Sequence, residues 1–151
     1  MNIPVFTCVF ICFFLLSFSK YPLAEDQEGP RKADIEYEDI EHGNFNKIVL
    51  SARANGEEWT ADPVLVSLKF IGPSEGMTQT IERSYDSPES PKTAEVIITN
   101  EKLLDDSVMG VRYKLVLNRN ENRSWIIASS GKAIKCWKGR GHANYSKEHC
   151  E

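Results

Sequence analysis

"VRYKLVLN", residues 111–118, decides how this chain is read. Val111, Tyr113, Leu115 and Leu117 alternate with Arg112, Lys114 and Val116. A period of two puts the first set on one face of a strand and the second on the other. A strand with one apolar and one largely polar face belongs to an antiparallel sheet that is packed on one side and wet on the other. The neighbouring sequence supplies its partners. "RNEN" (119–122) is a turn, and "RSWIIASSGKAIKCW" (123–137) carries the last strand or two. Upstream, "MTQTIERSY" (77–85) and the β-branched run "KTAEVIIT" (92–99) read as strands separated by the turn residues "DSPESP". "EKLLDDSVMG" (101–110) is the connection back to residue 111.

Before the strands, the periodicity changes. In "NFNKIVLSARANG" (44–56), Phe45, Ile48, Val49 and Ala52 fall at i, i+3, i+4 and i+7, and Asn55-Gly56 supplies a stop. That is an amphipathic helix. "DPVLVSLKFIGP" (62–73) carries two patterns at once. Val64, Val66, Leu68 and Phe70 alternate as in a strand, whereas Asp62 as cap, Pro63 in the first turn and Gly72-Pro73 at the end are helix punctuation. The punctuation favours a short, largely buried helix. Helices followed by a run of strands give an α+β fold, with the N-terminal helix or helices packed on a curved antiparallel sheet of about four strands. The order resembles that of cystatin-like and nuclear-transport-factor-like folds, an analogy of fold that carries no function.

The 151 residues hold one such domain, expected at 44–151. "IPVFTCVFICFFLLSF" (3–18) is an apolar run too short for a comfortable membrane span and suited to the core of a secretory signal. Cleavage is expected near Ser19 or Ala24, which makes residues 1–24 a signal peptide. The alternative is an uncleaved anchor with Lys20 at its end, the one route by which a membrane contact is expected. Residues 25–43 are polar and strongly charged and read as an acidic flexible leader. Eight acids lie between Glu25 and Glu41 against Arg31 and Lys32, whereas nine bases lie between Arg112 and Lys147 against Glu121 alone. The formal charge of −4 hides this asymmetry. It fits either a leader attracted to a basic sheet face, or a basic surface for an anionic partner.

Export removes Cys8 and Cys12 with the signal and leaves Cys136 and Cys150, an even pair in an oxidising compartment and so a disulfide. It closes the C-terminal "KCWKGRGHANYSKEHC" (135–150) into a loop. Within it, Gly139 and Gly141 flank Arg140, and Lys138, Arg140 and His142 are candidate anion-binding residues. Arg112 and Lys114 on the polar face of their strand are further candidates. The anion could be a lipid headgroup, a polysaccharide, a nucleotide or an acidic protein surface. No clear nucleic-acid signature is present and no cofactor is expected. Cys136, His142, His149 and Cys150 have zinc-ligand chemistry but poor spacing, so a zinc-binding C-terminal site is only an alternative. Another is an enzyme with a pocket under the curved sheet, using His142 and Arg140 with an acid such as Asp105 or Asp106. There is no GxSxG elbow and no Walker motif. A third is that the acidic leader is itself the part that meets a partner.

The C-terminal third resembles a group of small exported bacterial proteins of unknown function. The resemblance rests on Asp105-Asp106-Ser107, the strand beginning at Trp125, and the terminal Cys136-Trp137…Gly139-Arg140-Gly141-His142…Ser146…Cys150 pattern, over roughly 50 residues. It implies an envelope or secreted (periplasmic or extracellular) protein and brings no activity or catalytic residue with it. The expected role is binding or structural rather than catalytic.

Overall fold

The computed structural model describes residues 35–151. The expected signal peptide and the first part of the leader lie outside them. The order of elements is β1 (Glu38–Asp39), α1 (Gly43–Ala54), a 3-10 turn (Glu58–Ala61), α2 (Pro63–Ile71), β2 (Gly76–Tyr85), β3 (Thr93–Leu103), β4 (Val108–Arg119) and β5 (Trp125–Cys136). The strands form one antiparallel sheet in the order β1-β5-β4-β3-β2. The fold is therefore α+β, with one strand more than expected and that strand placed before the helices. β1 pairs Glu38 with Lys132 and Asp39 with Gly131. Its two residues are exposed and carry no apolar alternation, so nothing local in the sequence announces it.

Asp62 settles the ambiguous segment as a helix. Its Oδ1 accepts from the N–H groups of Val64 (2.7 Å) and Leu65 (3.3 Å), and Pro63 occupies the first turn, where its missing N–H costs nothing. Gly72 ends the helix at φ +80°, a conformation open to glycine. The core lies between the helices and one sheet face. Val49 and Val66 come from above, and Ala94, Val96, Ile98, Leu115, Leu117, Trp125 and Ile127 from below. Each buried position of β3 alternates with a half-exposed one, as does β4 at Leu115 and Leu117.

α1 is fixed to the sheet by one side chain. Asn46 donates from Nδ2 to the Ile127 carbonyl (2.8 Å) and accepts from the Ile127 N–H at Oδ1 (3.0 Å). Ile127 stands opposite Leu117 and turns both groups to the outer edge of β5, a stretch that β1, paired only with Gly131 and Lys132, does not reach. β5 is a single strand running through "SSG". Ser130 faces inward and donates from Oγ to the Ile40 carbonyl (2.8 Å), and Gly131 leaves room for Tyr37, whose Cβ would lie 2.7 Å from a side chain there.

Candidate functional site

The sequence points to the C-terminal loop, which begins where β5 ends. Cys136 and Cys150 are joined in a disulfide with Cα atoms 5.6 Å apart. Gly141 lies directly against it, since a Cβ there would sit 3.0 Å from Cys136 Sγ. The backbone is laced to the sheet at several points. Ile134 and Ser146 exchange two hydrogen bonds (2.8 and 2.9 Å), and the Cys136 N–H donates to the His142 carbonyl (3.1 Å). The β3–β4 connection joins the same knot. The Trp137 N–H donates to the Ser107 carbonyl (2.9 Å), its indole N–H to the Asp105 carbonyl (2.8 Å), and the Ser107 hydroxyl to the Glu151 carbonyl (2.7 Å). The Glu151 N–H closes the circuit on the Arg140 carbonyl (2.8 Å). Asp-Asp-Ser, Cys-Trp, Gly-His, Ser and Cys, separated in sequence, are thus parts of one structural unit.

The candidate residues fare differently within it. His142 is committed to the loop's own backbone, with Nδ1 2.7 Å from the Asn144 carbonyl and Nε2 3.0 Å from that of Glu148. Asp105 Oδ1 accepts from the N–H groups of Val108 (2.6 Å) and Ser107 (2.8 Å), which hold its carboxyl below the usual carboxylate range. Arg140 and Lys138 are exposed, and neither side chain has a partner among the described residues. His142, Asp105 and Arg140 therefore do not turn their functional groups toward one shared cavity. Of the four metal-ligand candidates, Cys136, His142 and Cys150 bring donor atoms within 4.8 Å of one another. The two sulfurs are bonded to each other, so thiolates for a metal would exist only after reduction.

Arg112 and Lys114 lie on the sheet face turned away from the helices, where both are paired across strands. Arg112 Nη2 is 3.1 Å from Glu82 Oε1, and Lys114 Nζ is 2.9 Å from Glu95 Oε2. Lys135 meets Glu101 (3.6 Å), Lys132 meets Glu38 (3.3 Å) and Lys147 meets Glu36 (3.0 Å). The last two pairs connect the leader's end to the basic third of the chain. Arg112 is also covered, its side chain 12% exposed, because Tyr145 from the C-terminal loop folds over it. The Tyr145 ring lies 5.9 Å from the Arg112 guanidinium and 5.9 Å from Lys135 Nζ, and its hydroxyl donates to Glu101 (3.1 Å). Gly110 makes this possible, since a Cβ there would come within 2.8 Å of the phenol oxygen. Burial, and then the Glu101 carboxylate, push the Tyr145 phenol above its ordinary range.

A second cationic region lies at the far end of the sheet. Arg53, Glu121, Asn122 and Arg123 line a shallow cleft of about 520 Å³ with Leu50 and Ala54. Lys92, Arg119 and Arg123 line a neighbouring cleft of about 370 Å³, with Glu89 and Glu121. Arg53 donates to the Asn122 carbonyl (2.9 Å), Arg119 lies over the Trp125 ring (5.8 Å), and Arg123 holds a positive φ of 64°. Arg119 and Arg123 are visible in the charge count, but Arg53 and Lys92 come from α1 and the β2–β3 turn, and only the fold brings them alongside.

Fold and site together define an α+β domain whose C-terminal loop is disulfide-closed and knotted to the β3–β4 turn. Comparison of the chain with protein-family models, with curated proteins and with solved structures finds no match.

Proposed function

We propose that this chain is an exported binding domain that holds an anionic partner against its C-terminal loop, with Lys138 and Arg140 as the contacting cations. Export is supported by the apolar run at residues 3–18 and by the disulfide. The observation that carries the binding reading is a contrast among candidates. Arg112 and Lys114 are neutralised by glutamates and His142 is spent on backbone carbonyls, while Lys138 and Arg140 project unpaired from a stapled loop. Gly139 (φ +85°) and Gly141 (φ +132°) fix the backbone on either side of Arg140, so its guanidinium is presented from a defined turn. Such a fork suits phosphate, sulfate or carboxylate. An exposed pair of cations gains little in isolation, so the partner should carry several anionic groups.

The test is elution of the full chain from an immobilised polyanion across a salt gradient. The Lys138→Ala/Arg140→Ala double variant should elute earlier than the parent, and Arg119→Ala/Arg123→Ala should match it. If only the second pair shifts elution, the binding surface lies at the far end of the sheet and the loop reading fails.

A further inference from the structure

The two edges of the sheet are treated differently. β5 is covered along most of its outer side by unrelated pieces of chain. The Ile40 N–H donates to Ser130 (3.0 Å), β1 pairs with Gly131 and Lys132, Ser146 pairs with Ile134, and His142 accepts from Cys136. β2 forms the opposite edge over ten residues, "GMTQTIERSY", nine of them exposed. Among the described residues no strand pairs with its outer side. Uncovered edges of this length are templates for pairing with another chain, and natural edges are blunted by proline, bulges or charged side chains, which on β2 are limited to Glu82 and Arg83. β2 has no proline and no lysine, and its register with β3 runs without a shift.

We infer that the protein forms a two-fold dimer in which β2 pairs antiparallel with β2 of a second copy, Ile81 lying opposite Ile81, so that the two sheets become one.

Backbone direction permits it. The Asp86 N–H donates inward to the Thr93 carbonyl (3.1 Å), and alternation along an antiparallel pair then points the even residues of β2 at β3. Met77, Gln79, Ile81, Arg83 and Tyr85 thus turn their N–H and C=O groups outward. An isologous pairing centred on Ile81 sets these odd residues against one another, which allows about ten backbone hydrogen bonds.

Side chains choose the register. Centred on Ile81, the helix-side face matches Met77 with Tyr85, Gln79 with Arg83 and Ile81 with itself. Met77, Ile81 and Tyr85 are 75%, 39% and 38% exposed in the single copy, so the seam would cover the apolar groups that the strand leaves in water. Gln79 spends its Nε2 on Asn100 (2.9 Å), which leaves its carbonyl oxygen for the Arg83 guanidinium of the second copy. On the other face Thr78 meets Ser84, and Thr80 meets Glu82. Moving the centre to Glu82 sets two glutamates against each other. Moving it to Thr80 puts Met77 against Arg83 and Ile81 against Gln79. Of these three registers, only the one centred on Ile81 pairs apolar with apolar and polar with polar, and it uses the whole length of β2 from Met77 to Tyr85. α2 packs over β3, β4 and β5, and its Leu65, Leu68 and Lys69 line a cleft beside Gln79.

The experiment is native mass and light scattering of the full chain over a concentration series, repeated with two variants. The parent should populate a dimer of twice the chain mass. Ile81→Lys places like charges opposite each other in the seam and should be monomeric, with a melting temperature that matches the parent's at dilutions where the parent has itself dissociated. Ile81→Cys should cross-link to itself under mild oxidation, since directly opposed Cα atoms near 5.5 Å suit a disulfide, whereas Thr80→Cys should not. A parent that stays monomeric at all concentrations overturns the inference. So does a dimer that Ile81→Lys leaves intact, or cross-linking at Thr80 in place of Ile81.

Discussion

Replacing both Cys136 and Cys150 by serine should cost the fold stability that can be worked from loop length. The two cysteines are separated by 14 positions, which closes a loop of 15 residues. Constraining such a loop in the unfolded chain is worth about 3 kcal/mol at 25 °C in the chain-entropy model. A domain of roughly 120 ordered residues unfolds with an entropy of about 0.25 kcal/mol/K, so this corresponds to a fall in melting temperature of about 12 °C. The native loop has other attachments: the Ile134–Ser146 pair, Trp137 on Asp105 and Ser107, and Ser107 on Glu151. The variant should therefore keep a cooperative transition and lose protection locally. The assay is thermal unfolding by near-ultraviolet circular dichroism, together with amide hydrogen exchange. Exchange should quicken across residues 137–150 while the β3 and β4 amides remain protected. A shift below about a quarter of the expected value, with unchanged exchange in the loop, would refute the idea that the staple holds this segment.

Three further perturbations follow from individual contacts. Asn46→Ala leaves the N–H and C=O of buried Ile127 unpaired, and should destabilise by about 2–3 kcal/mol in urea unfolding. Asn46→Asp, which keeps only the acceptor, should fall between. Asp62→Ala removes the cap of α2 and should cost about 1 kcal/mol, with Asp62→Asn close to the parent. Tyr113 and Tyr145 are both raised above the ordinary phenol range, chiefly by burial, so each holds its proton in the fold at a pH where the unfolded chain has lost it. Their contribution is complete below about pH 10 and is lost as pH rises beyond it. Tyr145→Phe should flatten that alkaline decline in a series of unfolding curves.

Much of this architecture was legible because it is local. The alternation at Val111–Leu117, the i, i+3, i+4, i+7 spacing from Phe45 to Ala52, and Asp62-Pro63 each state their element within a few residues. The disulfide followed from Cys136 and Cys150 being the pair outside the expected signal segment. What was hidden depends on distant partners. β1 exists because Gly131 admits Tyr37 and Lys132 meets Glu38, more than 90 positions away. The basic third of the chain reads either as a face that attracts the acidic leader or as a surface for an anionic partner; Lys132 and Lys147 do meet Glu38 and Glu36, but Arg112, Lys114 and Lys135 stand opposite Glu82, Glu95 and Glu101 on β2 and β3. A charge count along the chain cannot see across strands. Tyr145 carried no signal at all: it reaches Arg112 only because Gly110 is flat and the loop doubles back over the sheet. The cluster of Arg53, Lys92, Arg119 and Arg123 was hidden for the same reason.

Lys138 and Arg140 are the cations proposed to meet an anionic partner, and nuclear magnetic resonance tests that role most directly. Amide and side-chain shifts of the isotope-labelled full chain would be followed as a sulfated oligosaccharide is added, with inorganic polyphosphate as a second probe. Saturable shifts are expected, confined to residues 137–142 and to the Arg140 guanidinium and abolished in the Lys138→Ala/Arg140→Ala variant. Shifts centred on Arg53, Arg119 and Arg123, with the C-terminal loop unmoved, would contradict it.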